Sequence, residues 1–479
     1  MEEIKLTAKL LLIVVLCILA NVCMFSIASE DKINRKLVDK QSIKNDKTYK
    51  YMYYPLSNKK AFISLKILFL LIAAYFLFGE IIQWHNLFNS TDYIDFNAFY
   101  VASKTVLQGK NPYNLKEYMD FFHFPFLYLP NILPLIAPLS FFEHDTSARI
   151  FFLFNLMSMF FLIAGALNLL SNKSLSYQIT LVISCLLIFG LTWGLRMGQL
   201  TVILACVLIW AVVFAKQNKN RAAGILLGIA TIKPTIVILF FFYFLLKKRF
   251  VLIGWCLLTS IALTLIGILM IHNYITDFLQ LYKTGYDLAF TISWNTPYNS
   301  PTRIDVEVIA ARIFGNSWLL TKVTSSILQL LPIALAFTCF YKQQVKDNWN
   351  GHIYLSDISL LACLSVYSFY SQSYSTSMLV LVIPFLLNYL YSEIINRHIS
   401  LNKILAWCLS IFCLLLLSHI SYFLFNYIYL SFKEKSQFIQ LTVALIPNYA
   451  LLGLTASLYL ISDKRERITI PPTNHGISL

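Results

Sequence analysis

The stretch Thr91–Pro112, TDYIDFNAFYVASKTVLQGKNP, decides the reading of this chain. It is a polar, carboxylate-bearing patch between long apolar blocks. Ala61–Ile82 precedes it, and further blocks continue almost to the C-terminus. Asp92 and Asp95 therefore lie just beyond the end of a membrane span. From Asp95 onward the pattern is helical, with Phe96, Phe99, Tyr100 and Val101 on one apolar face. Such a helix can lie along a bilayer surface and hold a carboxylate at the water–lipid boundary. An enzyme with a lipid-linked substrate needs its base there. The competing reading makes Asp95 a helix N-cap with no chemical role.

Composition excludes a soluble globule: 58% of the 479 residues are hydrophobic and 13% charged. A span takes ~20 mostly apolar residues, and about twelve blocks meet or approach that length. The expected fold is an all-α polytopic membrane protein. The net charge of +15 is carried by lysines and arginines in short loops. That is the positive-inside pattern, not a nucleic-acid signature. The nine cysteines sit inside apolar blocks and read as small buried hydrophobes. There is no Walker A motif, no GxGxxG after a strand, no HExxH and no GxSxG. Nothing marks ATP hydrolysis or use of a cytosolic nucleotide sugar, and no cofactor or metal is assigned.

The basic loop Glu30–Lys60 should stay cytoplasmic, which makes Leu10–Ala28 a span and not a cleaved signal peptide. Ala61–Ile82 then runs outward and delivers Asp92 and Asp95 to the outer face. Spans follow at Arg149–Leu170, Tyr177–Trp193, Leu200–Ala215, Val251–Ile271, Trp318–Tyr341, Tyr354–Tyr370, Thr376–Ile395, Ile404–Tyr429 and Ile439–Ile461. The block Ala222–Leu246 has basic residues at both ends and Lys233-Pro234 in its middle. Proline breaks a helix, so this block reads as two half-helices that dip in and return. Pro125–Phe142 carries four prolines and reads as a bent interfacial or re-entrant piece on the outside.

Lys233 is the second signal. An ionisable side chain inside an apolar block costs roughly a few kcal/mol unless it meets a counter-charge. A substrate phosphate and an internal pair with Glu80 both satisfy that requirement. Arg196, Gly198 and Gln199 fall in a short outer turn. Gly198 permits a tight backbone, Gln199 offers an amide, and Arg196 suits a phosphate or a lipid headgroup. In the outer loop Ser293–Gly315, Asn299, Ser300 and Arg303 can hydrogen-bond a sugar or diphosphate, or simply cap the loop. His419 reads as an interhelical hydrogen-bonder.

In order, DFNAFYVASKTVLQGKNPYN, FHFPFLYLPNILPLIAPL, GLRMGQLTVILA and AAGILLGIATIKPTIVILF resemble the polyprenol-phosphate-mannose-dependent mannosyltransferases of the GT-C fold. The nearest subgroup contains the phosphatidylinositol-mannoside mannosyltransferases. The matching positions are Asp95-Phe96, Phe99-Tyr100, Gly109-Pro112-Tyr113, Phe126-Tyr128-Pro130, Gly198-Gln199, Ala223-Gly224-Gly228 and Lys233-Pro234, with Asn299-Ser300 and Arg312 matching loosely. Where the family carries a Ser-Pro-x-Ser-Trp-x-His-like run, this chain has SQSYSTSMLVLVIPFLL, Ser371–Leu387. It lacks the proline, tryptophan and histidine at its opening.

The resemblance implies a GT-C-like domain over 61–462, after an additional N-terminal span and basic loop over 1–60 and before a cytoplasmic tail over 463–479. It implies a cell-membrane hexosyltransferase, a mannosyltransferase in the family's usual form. A polyprenyl-phosphate sugar would be the donor and a lipid or glycan hydroxyl the acceptor, on the outer face of a bacterial inner membrane. Asp95 would be the catalytic base. Asp92, Tyr100, Arg196, Gln199, Lys233, Asn299 and Arg303 would bind substrate. The alternatives are a transporter or flippase of lipid-linked sugars built around Lys233, and a glycan ligase or polymerase.

Overall fold

A computed structural model describes residues 79–462 except 80, 83, 91–92, 119–123, 172–173, 272–274, 293–294, 299, 301, 316, 390–400 and 418–436. Asp92, Asn299, Glu80 and His419 lie outside the described residues, as do the N-terminal span and the tail. The chain divides into two compact units, Met1–Leu87 with Asn388–Ser400 and Phe88–Leu387 with Leu401–Leu479. Of the first, helical residues at 79, 81–82, 84–87 and 388–389 are described. Everything below concerns the second.

That unit is helical, and among the described residues it contains no β-strand. Its main helices are α1 (Ile94–Leu107), α2 (His144–Asn168), α3 (Leu175–Leu186), α4 (Phe189–Met197), α5 (Thr201–Lys216), α6 (Asn220–Ala230) and α7 (Pro234–Leu246). After these come α8 (Phe250–Met270), α9 (Ile275–Ala289), α10 (Val306–Phe314), α11 (Trp318–Lys346), α12 (Leu355–Ser368), α13 (Leu401–Leu416) and α14 (Gln437–Ser462). Among the described residues, α2, α8 and α11 are long and apolar enough to cross a membrane. Their large apolar side chains point outward in quantity, Leu257, Ile261 and Leu265 on α8 and Leu320, Ile327 and Leu331 on α11. In water such a surface would be an aggregation hazard; against lipid it is the expected exterior.

The Pro125–Phe142 piece is bent, as its prolines require. It forms a 3-10 turn at Pro130–Ile132, one α-turn at Leu133–Ile136 and a second 3-10 turn at Ala137–Phe141. The helix break also falls at Lys233-Pro234, where α6 ends and α7 begins. Helix α6 packs between α5 and α8, while α7 packs on α12. The Gly224–Gly228 pair explains the tight fit of α6 on α8. A Cβ at Gly224 would come within 2.4 Å of the Leu252 carbonyl oxygen, and one at Gly228 within 2.6 Å of Thr259 Cβ. Small residues four apart let helix backbones approach where lipid offers no hydrophobic drive. Helices α7 and α12 share a buried charge pair, Lys247 Nζ to Asp357 Oδ2 at 3.8 Å, with the Tyr243 hydroxyl also donating to Asp357 at 3.1 Å.

One expected span is two elements. Tyr177–Trp193 divides into α3 and α4 at Leu187-Ile188, where Ile188 turns extended (ψ 117). Arg196 consequently sits in the last turn of α4 and not in a loop. Downstream, Ser373–Leu381 is a 3-10 stretch that leads into a short α-helix at Ile383–Tyr389.

Candidate active site

Helix α1 starts from Tyr93 in an extended conformation, and no side chain caps its N-terminus. Phe96, Phe99, Ala102 and Val106 bury one face, each large side chain contributing about 2 kcal/mol. Asp95 lies in the first turn but does not cap it, which removes the capping explanation. Its carboxylate instead reaches another part of the chain. The buried Gln199 donates from Nε2 to Asp95 Oδ2 at 2.6 Å, and the Tyr128 hydroxyl donates to Gln199 Oε1 at 3.1 Å.

Backbone chemistry brings Gln199 there. Gly198 ends α4 in the left-handed region, φ 67 and ψ 40, which glycine enters without a Cβ penalty. A Cβ at Gly198 would also lie 2.7 Å from Phe96 Cβ and 2.8 Å from Tyr93 Cβ. The turn therefore nests on the first turn of α1, and the next residue meets Asp95.

Asp95 as a residue is partly accessible, but its carboxyl group is sunk among protein atoms. Burial raises its pKa from 3.8 to about 6, against the opposing pull of the Gln199 hydrogen bond and the Lys233 charge. A carboxyl that titrates near neutrality suits a general base. Lys233, at the break between α6 and α7, holds its ammonium 5.0 Å from the centre of the Tyr374 ring. Tyr374 and Tyr370 also lie within electrostatic reach of Asp95. Asp95, Gln199 and Lys233, distant in sequence, thus share one polar centre ringed by Tyr128, Tyr370 and Tyr374.

Arg303 borders this centre from behind and is 1% exposed. Its guanidinium donates to Asp305 through Nε (2.9 Å) and Nη2 (2.7 Å), to Glu307 at 2.8 Å and to the Asn295 carbonyl at 2.8 Å. Burial alone would raise Glu307, but hydrogen bonds from Lys322 and Arg303 bring it below its ordinary value. With those donors engaged, Arg303 braces the 295–307 loop. Its Cζ lies 4.8 Å from the centre of the Tyr370 ring. The Tyr370 hydroxyl donates to Asn295 Oδ1 at 2.8 Å and accepts from Gln372 Nε2 at 2.9 Å. Thr302 and Ser373 join the two segments through a backbone bond at 2.8 Å, beside the antiparallel bridge from Arg303 to Gln372.

Two other expected ligands stand apart. The Tyr100 hydroxyl donates to the Phe142 carbonyl at 3.0 Å and its ring meets His144 edge-on at 5.1 Å, so it fixes α1 to the segment before α2. Arg196 is exposed, with Cζ 5.2 Å from the Trp193 ring centre. Tyr370, Gln372 and Tyr374 were not among the expected site residues. The signal for Gln372 and Tyr374 is the polar run SQSYSTS, Ser371–Ser377, at the head of an apolar block; Tyr370 immediately precedes it.

Residues 126–364 match the model of glycosyltransferase family 87. The match supports a membrane glycosyltransferase of the GT-C type. It includes Tyr128, Gln199, Lys233 and Arg303, whereas Asp95 and the 370–374 segment lie outside it. Glycosyl transfer by a family 87 protein implies a sugar donor and an acceptor. No curated protein and no solved structure matches the chain.

Proposed function

We propose that this protein transfers a hexose, mannose in the first instance, from a polyprenyl-phosphate donor to a lipid or glycan hydroxyl at the outer face of the cell membrane. One observation carries the reading: a sunken carboxylate held by Gln199 and the Lys233 ammonium share one polar centre next to a membrane bundle. Asp95 takes the proton of the acceptor hydroxyl. The acceptor oxygen attacks the anomeric carbon, and the bond from that carbon to the phosphate oxygen breaks. The electron pair leaves with the lipid phosphate, whose new charge Lys233 neutralises. A single displacement inverts the anomeric configuration. Asp92 and Asn299 remain candidates for donor or acceptor contacts, and exposed Arg196 for a headgroup contact. Tyr100 and Arg303 serve the site by holding its walls.

The test uses purified full-length protein, radiolabelled polyprenyl-phosphate-mannose and a membrane lipid extract. Label should move to a new extractable product and stay on the donor with Asp95→Asn. Transfer from a nucleotide sugar, with none from any polyprenyl-phosphate hexose, would overturn the donor assignment.

A further inference from the structure

We infer that Tyr128 and Gln199 form a positioning relay that fixes which oxygen of Asp95 faces the acceptor. The inference rests on Asp95 being the base. Gln199 alone can sit beside a carboxylate in two ways, because its amide can flip. An ionised carboxylate only accepts hydrogen bonds, so the productive orientation puts Nε2 toward Asp95. The Tyr128 hydroxyl completes that orientation: it donates to Oε1 at 3.1 Å while Nε2 donates to Asp95 Oδ2 at 2.6 Å, so the amide is held at both ends. Burial lifts the Tyr128 phenol well above its ordinary range, so it remains a donor at every working pH.

Each member of the relay is tied to α1. The Tyr128 ring meets Phe99 edge-on at 4.9 Å. Gln199 follows Gly198, whose backbone rests on Tyr93 and Phe96. Phe96, Phe99 and Asp95 lie within two turns of that one helix. With Oδ2 engaged by the amide, Oδ1 is the oxygen left for the acceptor hydroxyl. The charged and titratable groups facing Asp95 are Lys233 from the α6–α7 break, Tyr128 from the proline-rich segment, and Tyr370 and Tyr374 from the 370–374 segment. The Arg303–Asp305 pair lies behind Tyr370. Gln199 hydrogen-bonds the carboxylate directly and carries no charge, so its removal changes a hydrogen bond without changing the charge of the site.

Infrared difference titration reads the relay without needing turnover. The protonated-carboxyl band that disappears in Asp95→Asn is followed against pH in detergent-solubilised full-length protein. In the wild type its midpoint should lie near 6. Gln199→Ala removes a donor that favours the ionised form, so the midpoint should rise by about one pH unit. Tyr128→Phe keeps the ring and its packing and should move the midpoint in the same direction by less. Gln199→Glu should raise it most, because two carboxylates would then face each other. The turnover profile with polyprenyl-phosphate-mannose should follow: at pH 6, Gln199→Ala should lose about fivefold from the smaller ionised fraction and recover nearly all of that loss by pH 8. Unchanged midpoints in Gln199→Ala and Tyr128→Phe, in proteins that melt like the wild type, would overturn the relay. A displaced midpoint with full turnover in Asp95→Asn would preserve the hydrogen-bond relay but overturn Asp95 as base, and with it the positioning role.

Discussion

At the scale of single residues the argument turns on Asp95. Its position in the first turn of a helix invites the capping explanation, but its carboxylate bonds Gln199, 104 residues away. Asp95→Asn keeps the shape and removes the base, so turnover should fall by roughly 10²–10⁴-fold while the melting temperature stays near that of the wild type. A variant with more than a tenth of normal turnover would exclude the base role. The pH dependence has a definite sign. The carboxyl works ionised and titrates near 6, so kcat/KM should be constant above about 7 and fall tenfold per unit well below 6. Asp95 was legible as a candidate because a carboxylate after a long apolar block has two readings, a helix cap or a base at the lipid boundary, and its place in the order of motifs favoured the second. Gln199 and Lys233 were legible too, one after a glycine and one before a proline. Their meeting was not, since no periodicity couples positions 95, 128, 199 and 233. The role of Arg303 stayed open in the sequence for a related reason. Its loop is rich in polar residues, and only the fold shows that Asp305, two positions on, takes two of its donors.

At the scale of elements, two breaks and one clamp shape the site. The break at Lys233-Pro234 was readable because proline carries its own signature. The break between α3 and α4 was not: LLIFGL is uniformly apolar, and the extended Ile188 leaves no compositional trace. The first break aims a lysine at the polar centre, and Lys233→Met should cost about 10²-fold in turnover through the lost partner of the leaving phosphate. If Lys233 serves stability alone, the same change will lower the melting temperature and leave turnover per folded molecule untouched. The clamp is Arg303, which holds the 295–307 loop against the 370–373 segment. A lysine cannot reproduce its fork to Asp305 and Glu307. Arg303→Lys keeps the charge but loses the fork, and should therefore destabilise the protein by about 1.5–3 kcal/mol, seen as a clear fall in melting temperature. A small fall together with a raised donor requirement would return Arg303 to the role of a phosphate ligand.

At the scale of the whole molecule, the question is which side of the membrane holds the site. The helical character of the described residues and the outward apolar faces of α2, α8 and α11 follow from the long apolar blocks, because a helix satisfies every backbone group within one segment inside lipid, whereas a barrel strand needs only about ten residues of alternating pattern. Length is a weaker guide to how elements cross: α5, α6, α7 and α12 are each shorter than the ~20 residues a straight span needs. Paired or broken elements must make up the thickness there, and hydropathy alone cannot say how. Sidedness rests instead on charge. Lys216, Lys219 and Arg221 form a basic cluster at the α5–α6 junction, whereas the turn after α1 carries Lys110 as its one charged residue between Gln108 and Tyr113. The positive-inside rule places the first of these in the cytoplasm, and the proposed donor chemistry places Asp95, and so the α1 turn, outside. Single Lys110→Cys and Lys219→Cys changes in a cysteine-free background put a thiol at each exposed position. An impermeant thiol reagent on intact cells should modify Lys110→Cys alone, and Lys219→Cys should react only after permeabilisation. The reverse pattern would turn the α1 site toward the cytoplasm. A donor whose phosphosugar is displayed outside could not reach it, and the proposed reaction would fail even with every distance in the site intact.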